Sequence, residues 1–229
     1  MDIRLARIYP HIYYLRFDSA YQLAMHFLRA QEYYESPKFR GKLFTIVDYM
    51  EWYSGVYGKG TFTYPKDWSG FNVPSWVLHQ VYAGKIPDPN KYDDFMESII
   101  KKIVGVEGVS NFYLIGTSAE GHRGDKDETS VLSHEIAHGL YYTNKEYNDS
   151  VQELLNKMDR VSYSAARKVL ADMGYDETTQ VDEVHAYAST GLTEKLEPIL
   201  TPEICAPFVE NFTRWLEKLN AKTETQRKS

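Results

Sequence analysis

The sequence predicts an α+β protein, mostly helical, with a small sheet and a helical C-terminal lobe. Three observations lead there. Apolar residues recur at three- and four-residue spacing through much of the chain, the period of a helix with one buried face. The run 112–117, Phe-Tyr-Leu-Ile-Gly-Thr, is the most strand-like stretch. Beyond residue 150 the chain reads as nearly continuous helix to about residue 219.

Taken in order, residues 1–17 mix apolar and basic side chains with no clean period and receive no assignment. A helix follows Asp18 or Ser19, either of which can cap it, repeats Leu23, Phe27 and Ala30, and stops before Pro37. A second helix spans about 42–53 on Leu43, Ile46, Val47 and Met50. Residues 54–75 set glycines and prolines among Tyr57, Phe62, Tyr64, Trp68 and Phe71. Within them Thr61-Phe62-Thr63-Tyr64 reads as a short strand, and the stretch as a lid, a substrate wall or a cover for the core. Pro74 at the first helical position opens a helix that ends at Gly84, and another spans 91–104. After the strand at 112–117, a polar linker leads into a helix of about 127–144. Later helices are expected at 150–161, 163–173, 179–190 and 202–219, with a polar, frayed tail from 221. The expected organisation is one domain of two lobes, about 1–144 and 145–220, followed by the tail 221–229.

Bulk properties narrow the classes. The 229 residues, 43% hydrophobic and 25% charged, are enough for a substantial core. A net charge of -6 gives no support to nucleic-acid or anionic-membrane partners. Cys205 is the only cysteine, so no intrachain disulfide forms, and its apolar neighbours suggest a buried, inert thiol. With no apolar leader after Met1 and no bilayer-length apolar run, a cytoplasmic location is expected. Oligomeric state is not legible.

Chemistry concentrates at His134-Glu135-Ile136-Ala137-His138-Gly139. Two histidines four apart on a helix stand one turn above each other, so both rings can reach one metal. Glu135 is then placed to act on a water beside that metal. Leu132, Ile136 and Leu140 form the apolar back of the helix, with Asp127, Thr129 and Ser130 as candidate caps and Asn144 as its stop. A catalytic zinc takes three protein ligands and a water. A third histidine at the extended spacing is missing, because residue 144 is Asn. Glu183 is the favoured third ligand, an acid inside the apolar, small-residue run 180–188. Its rivals on that helix are His185, about 200° around the axis, and Asp182, about 100° around it.

The H-E-x-x-H run, with Glu183 45 residues after His138 and the local Glu183-Val-His-Ala-Tyr187, resembles the gluzincin-type zinc metallopeptidases of the HExxH zincin superfamily. The resemblance covers these segments and the preceding strand. It implies a zincin-like fold, Zn2+ held by His134, His138 and Glu183, Glu135 as general base, and a peptide or protein substrate. It also implies that the 112–117 run is a sheet edge near the active helix. Phe112, Tyr113, Leu114, Ile115 and Gly116 would there pair with an extended peptide. Many relatives carry Asp four residues after the ligand glutamate, orienting a zinc-bound histidine, where this chain has Tyr187. Either another acid supplies that contact or Tyr187 itself enters the site as a catalytic group. Tyr187, His185, Tyr142 and His122 are the candidates for stabilising an oxyanion. The competing readings are a non-catalytic zinc- or peptide-binding protein with a degenerate peptidase fold, a zinc hydrolase of non-peptide amides, and a metal-free helical interaction protein.

Overall fold

The computed structural model describes residues 3–120 and 128–228. The fold is α+β, mainly helical, with a small four-stranded mixed sheet. The chain divides into two compact units, Met1–Glu135 and Ile136–Ser229. The division falls inside one continuous helix. Among the described residues, no helix is long and apolar enough to cross a membrane.

Unit 1 opens with a hairpin, β1 (Arg4–Tyr9) and β2 (Ile12–Phe17), in the region without a sequence assignment. In β2, Tyr13, Leu15 and Phe17 are buried while Tyr14 is half-buried and Arg16 exposed, an alternation confined to five residues and too short to stand out beside the irregular β1. His11 turns the hairpin with φ 64°. Two further strands are β3 (Gly70–Pro74) and β4 (Tyr113–Ser118). The order is β1-β2-β4-β3, with β2 and β4 parallel and β3 antiparallel to β4.

This order corrects the substrate-strand expectation. β4 is hydrogen-bonded on both sides and every residue in it is buried. Tyr113, Leu114, Ile115 and Gly116 therefore have no free backbone to offer a peptide. Phe112, just before the strand, has both backbone polar groups taken by Ser75 (Ser75 N–H to Phe112 O, 2.8 Å; Phe112 N–H to the Ser75 hydroxyl Oγ, 3.1 Å). The edge strands are β1 and β3. The strand expected at 61–64 is also corrected. Tyr64–Asp67 forms a single helical turn, α3, with Pro65 in its first positions. Proline has its φ preset for a helix start and carries no N–H for a sheet ladder.

Helix α1 (Ala20–Glu35) packs on β2, β3 and β4. Leu23 and Phe27 approach so closely over Gly116 that a Cβ there would lie 2.4 Å from Phe27 Cε2. Beneath α1, Arg29 is only 3% exposed and fully engaged. Its Nε donates to Asp93 Oδ1 (2.9 Å), Nη2 to Asp88 Oδ1 and the carbonyls of Pro87 and Asp88, and Nη1 to the Phe44 carbonyl. Glu32, one turn on, is also buried; burial pushes its carboxyl up to about 7, with the Tyr64, Tyr49 and Ser36 hydroxyls drawing it part of the way back. Helices α2 (Ile46–Val56), α4 (Ser75–Ala83) and α5 (Lys91–Lys101) complete the unit, and a π-helical turn, Lys102–Val106, extends α5. Thr45 caps α2 through Asp48 N–H, and Asn90 with Asp93 forms a capping box on α5.

Helix α6 (Glu128–Thr143) carries the H-E-x-x-H motif. Thr129 and Ser130 lie in its first turn rather than capping it, and Asp127 is outside the described residues. Glu128 accepts from Arg16 (2.8 and 3.0 Å), Tyr14 and Thr117, which ties the start of α6 to β2 and β4. Burial pushes the Glu128 carboxyl up, but these donors outweigh it and hold the group below its ordinary value.

Unit 2 continues with α7 (Lys145–Lys157), α8 (Arg160–Asp172), α9 (Gln180–Thr190) and α10 (Pro202–Lys228). Asn144 ends α6 and also caps α7, its side chain accepting from Tyr147 N–H at 3.0 Å. α7 therefore starts five residues earlier than its apolar repeat suggests. Asp159 does the same for α8. α9 packs against α8 and α10, and is buried almost all round from Glu183 to Ser189. α10 runs on to Lys228, past the end its apolar pattern marks at Leu219.

Candidate metal centre

The geometry of α6 sets the first two groups. His134 and His138 are one turn apart on the same helix, and His138 is the more deeply buried. From α9, Glu183 brings its carboxylate to His138. Its Oε1 lies 3.5 Å from His138 Nε2, and its side chain is only 8% exposed. One ligand atom from each of His134, His138 and Glu183 lies within 4.8 Å of the other two. Among the described residues this is the one such cluster of three or more histidine, cysteine or acidic groups.

The donor set could hold a metal ion. At 3.5 Å, His138 Nε2 and Glu183 Oε1 are too far apart for a good N–H···O bond. Two ligands at zinc bond lengths in a tetrahedral site stand about 3.4 Å from each other. A buried glutamate facing imidazoles also has its negative charge offset once a cation joins it. Two imidazole nitrogens and one carboxylate oxygen suit Zn2+.

His138 is oriented from behind. Its Nδ1 lies 3.0 Å from Asp182 Oδ2, so Nδ1 donates and Nε2 is left with its lone pair toward Glu183. Burial alone would raise the Asp182 carboxyl, yet His138 and then His185 hold it well below the usual carboxylate range. Asp182, rather than a residue at position 187, is the acid in contact with His138 Nδ1.

His185, the rival ligand, has both ring nitrogens engaged elsewhere and is fully buried. Nδ1 reaches the Asp182 carbonyl (2.9 Å) and Oδ1 (3.1 Å), while Nε2 meets Tyr147 Oη at 3.1 Å. Tyr141 stacks on the ring, centroids 5.0 Å apart. His185 braces Asp182. Tyr187 is buried, with its hydroxyl 3.1 Å from that of Tyr175. It also lines an apolar pocket of about 360 Å³ with Leu192, Leu200 and Cys205. Cys205 itself is half-buried, and burial raises its thiol above the ordinary value. Tyr142 is half-buried, and His122 lies outside the described residues.

Glu135, the candidate base, extends toward the sheet edge. Its Oε2 accepts from the Asn72 side-chain amide of β3, and the Asn72 carbonyl oxygen in turn accepts from the Tyr113 hydroxyl of β4. The other oxygen, Oε1, lies against Gly70; a Cβ at that position would stand 2.9 Å from it and 2.7 Å from Val131 Cγ1. Neither Gly70 nor Asn72 stands out in the sequence. Their strand is five residues long, contains Gly and Pro, and pairs with residues some 40 positions later.

Compared with known proteins, the chain matches no family model, no curated protein and no solved structure.

Proposed function

We propose that this chain is a zinc-dependent peptidase with a zincin-like fold, related in design to the gluzincins. The observation that carries the reading is the convergence of His134, His138 and Glu183, with Asp182 behind His138 and Glu135 next in sequence to a ligand. Zn2+ held there would lower the pKa of a water and polarise a carbonyl oxygen. Glu135 takes the proton from the water that attacks the scissile carbonyl and delivers it to the leaving amine. Asp182 keeps the His138 ring in one tautomer throughout. An extended peptide would pair with the edge strand β3, whose residues 70 and 72 face Glu135, rather than with the buried β4.

The test is metal analysis of purified protein with digestion of a mixed-sequence, internally quenched peptide pool. Wild-type protein should carry about one zinc per chain and cleave the pool. Glu135→Gln should retain zinc and lose cleavage, while His138→Ala should lose both. Stoichiometric zinc with no peptide cleavage would replace this reading by a binding protein or a hydrolase of non-peptide amides. Absence of bound zinc after reconstitution would remove it altogether.

A further inference from the structure

We propose that Asn72 is a positioning residue for Glu135, clamping one carboxylate oxygen so that the other does the proton transfer. The inference rests on the peptidase reading above and adds to it a residue from a distant part of the chain.

A glutamate on a helix has three side-chain torsions to settle, and a general base works only when held within hydrogen-bond reach of its proton. Here β3 does the holding. Phe71 and Val73 point into the core, being 1% and 0% exposed, so alternate residues 70 and 72 face α6. Asn72 donates its amide N–H to Oε2 of Glu135. The orientation of that amide follows from its partners. The NH2 end faces Glu135, whose Oε2 accepts from it. The oxygen end is left for the Tyr113 hydroxyl, which donates to it. Tyr113 is 3% exposed and belongs to the doubly paired strand β4, a rigid base for the relay. Gly70 completes the arrangement, since the missing Cβ leaves space for Oε1. With Oε2 committed to Asn72, Oε1 is the oxygen that accepts the proton.

The experiment uses full-length, zinc-loaded protein, the quenched peptide pool, and then one peptide that the wild type cleaves. Asn72→Ala should lower kcat on the order of 100-fold, with KM and zinc content unchanged. Tyr113→Phe should lower kcat in the same direction by a smaller factor. A second readout needs neither metal nor substrate. In 15N-labelled, metal-free protein, Glu135→Ala should shift the Asn72 side-chain amide resonances. Should Asn72→Ala fail to fold, Asn72→Ser replaces it in both assays. Full kcat in the Asn72 variant, or loss of zinc in step with activity, overturns the positioning role, as does an Asn72 resonance indifferent to Glu135→Ala. If the wild type cleaves nothing while that resonance does respond, the contact stands but the peptidase reading has failed, and the catalytic role of Asn72 falls with it.

Discussion

Asp182 Oδ2 stands 3.0 Å from His138 Nδ1, while the opposite nitrogen of the same ring faces Glu183 Oε1 at 3.5 Å. Two consecutive residues of α9 therefore address the two ends of one imidazole. Removing the Asp182 charge frees the ring to change tautomer without touching a ligand. Asp182→Asn should weaken zinc binding by roughly 10- to 100-fold, read by competition with a chelator of known affinity, with helical content preserved. Unchanged affinity would mean that Asp182 belongs to the His185 network alone.

Glu32 makes a stability prediction with a definite sign. Its carboxyl is raised from an ordinary 4.5 to about 7 by burial. Below about pH 4.5 both the folded and unfolded chains hold the proton, and the contribution to stability is greatest. Between there and about pH 7 the unfolded chain ionises first, so stability falls as pH rises, then levels off. The full change is about 3 kcal/mol, at about 1.4 kcal/mol per pKa unit. Glu32→Gln should flatten that part of the curve and be the more stable protein at alkaline pH. Parallel denaturation curves for the two proteins across this range would refute it.

Arg29 should be among the most sensitive positions in unit 1. Its guanidinium meets Asp93 and Asp88 and three backbone carbonyls while almost wholly buried. Arg29→Ala strands the Asp93 carboxylate, and a loss of about 3–5 kcal/mol is expected in urea denaturation. The double variant with Asp93→Ala should lose less than the sum of the two single losses.

Gly116 tests packing rather than charge. An added methyl would meet Phe27 Cε2 at 2.4 Å and Leu23 Cδ1 at 2.7 Å, both inside the core of unit 1. Gly116→Ala should cost about 1–3 kcal/mol, and Phe27→Leu in the same chain should restore part of it. A neutral Gly116→Ala would show that α1 can lift from the sheet more readily than its packing suggests.

What the sequence makes legible here is whatever one element contains. H-E-x-x-H is readable because a single helical turn carries all three groups. Glu183 is readable because an acid inside an apolar helix needs a compensating partner. Asp182 has the same composition signal as any helix-start acid, and only the facing of α9 toward His138 gives it a role. β1 escapes because it is a largely exposed edge strand of mixed apolar and basic residues, β2 because its alternation covers only residues 13–17, and β3 because glycine and proline mask it. The run 112–117 is recognisable as a strand, but strand sequence alone does not reveal its neighbours. Its place in the middle of the sheet, and the consequent loss of its expected peptide-pairing role, come from pairings with residues about 40 and 100 positions away.

The mooring of Glu128 to Arg16, Tyr14 and Thr117 has one more effect. It secures the first turn of α6 to the sheet by contacts that owe nothing to a cation. The proposed Zn2+ site would then sit on a helix already anchored at its N-terminal end, which leaves less ordering entropy for binding to overcome. Cutting that tether with Glu128→Gln should show itself as slower and weaker zinc uptake.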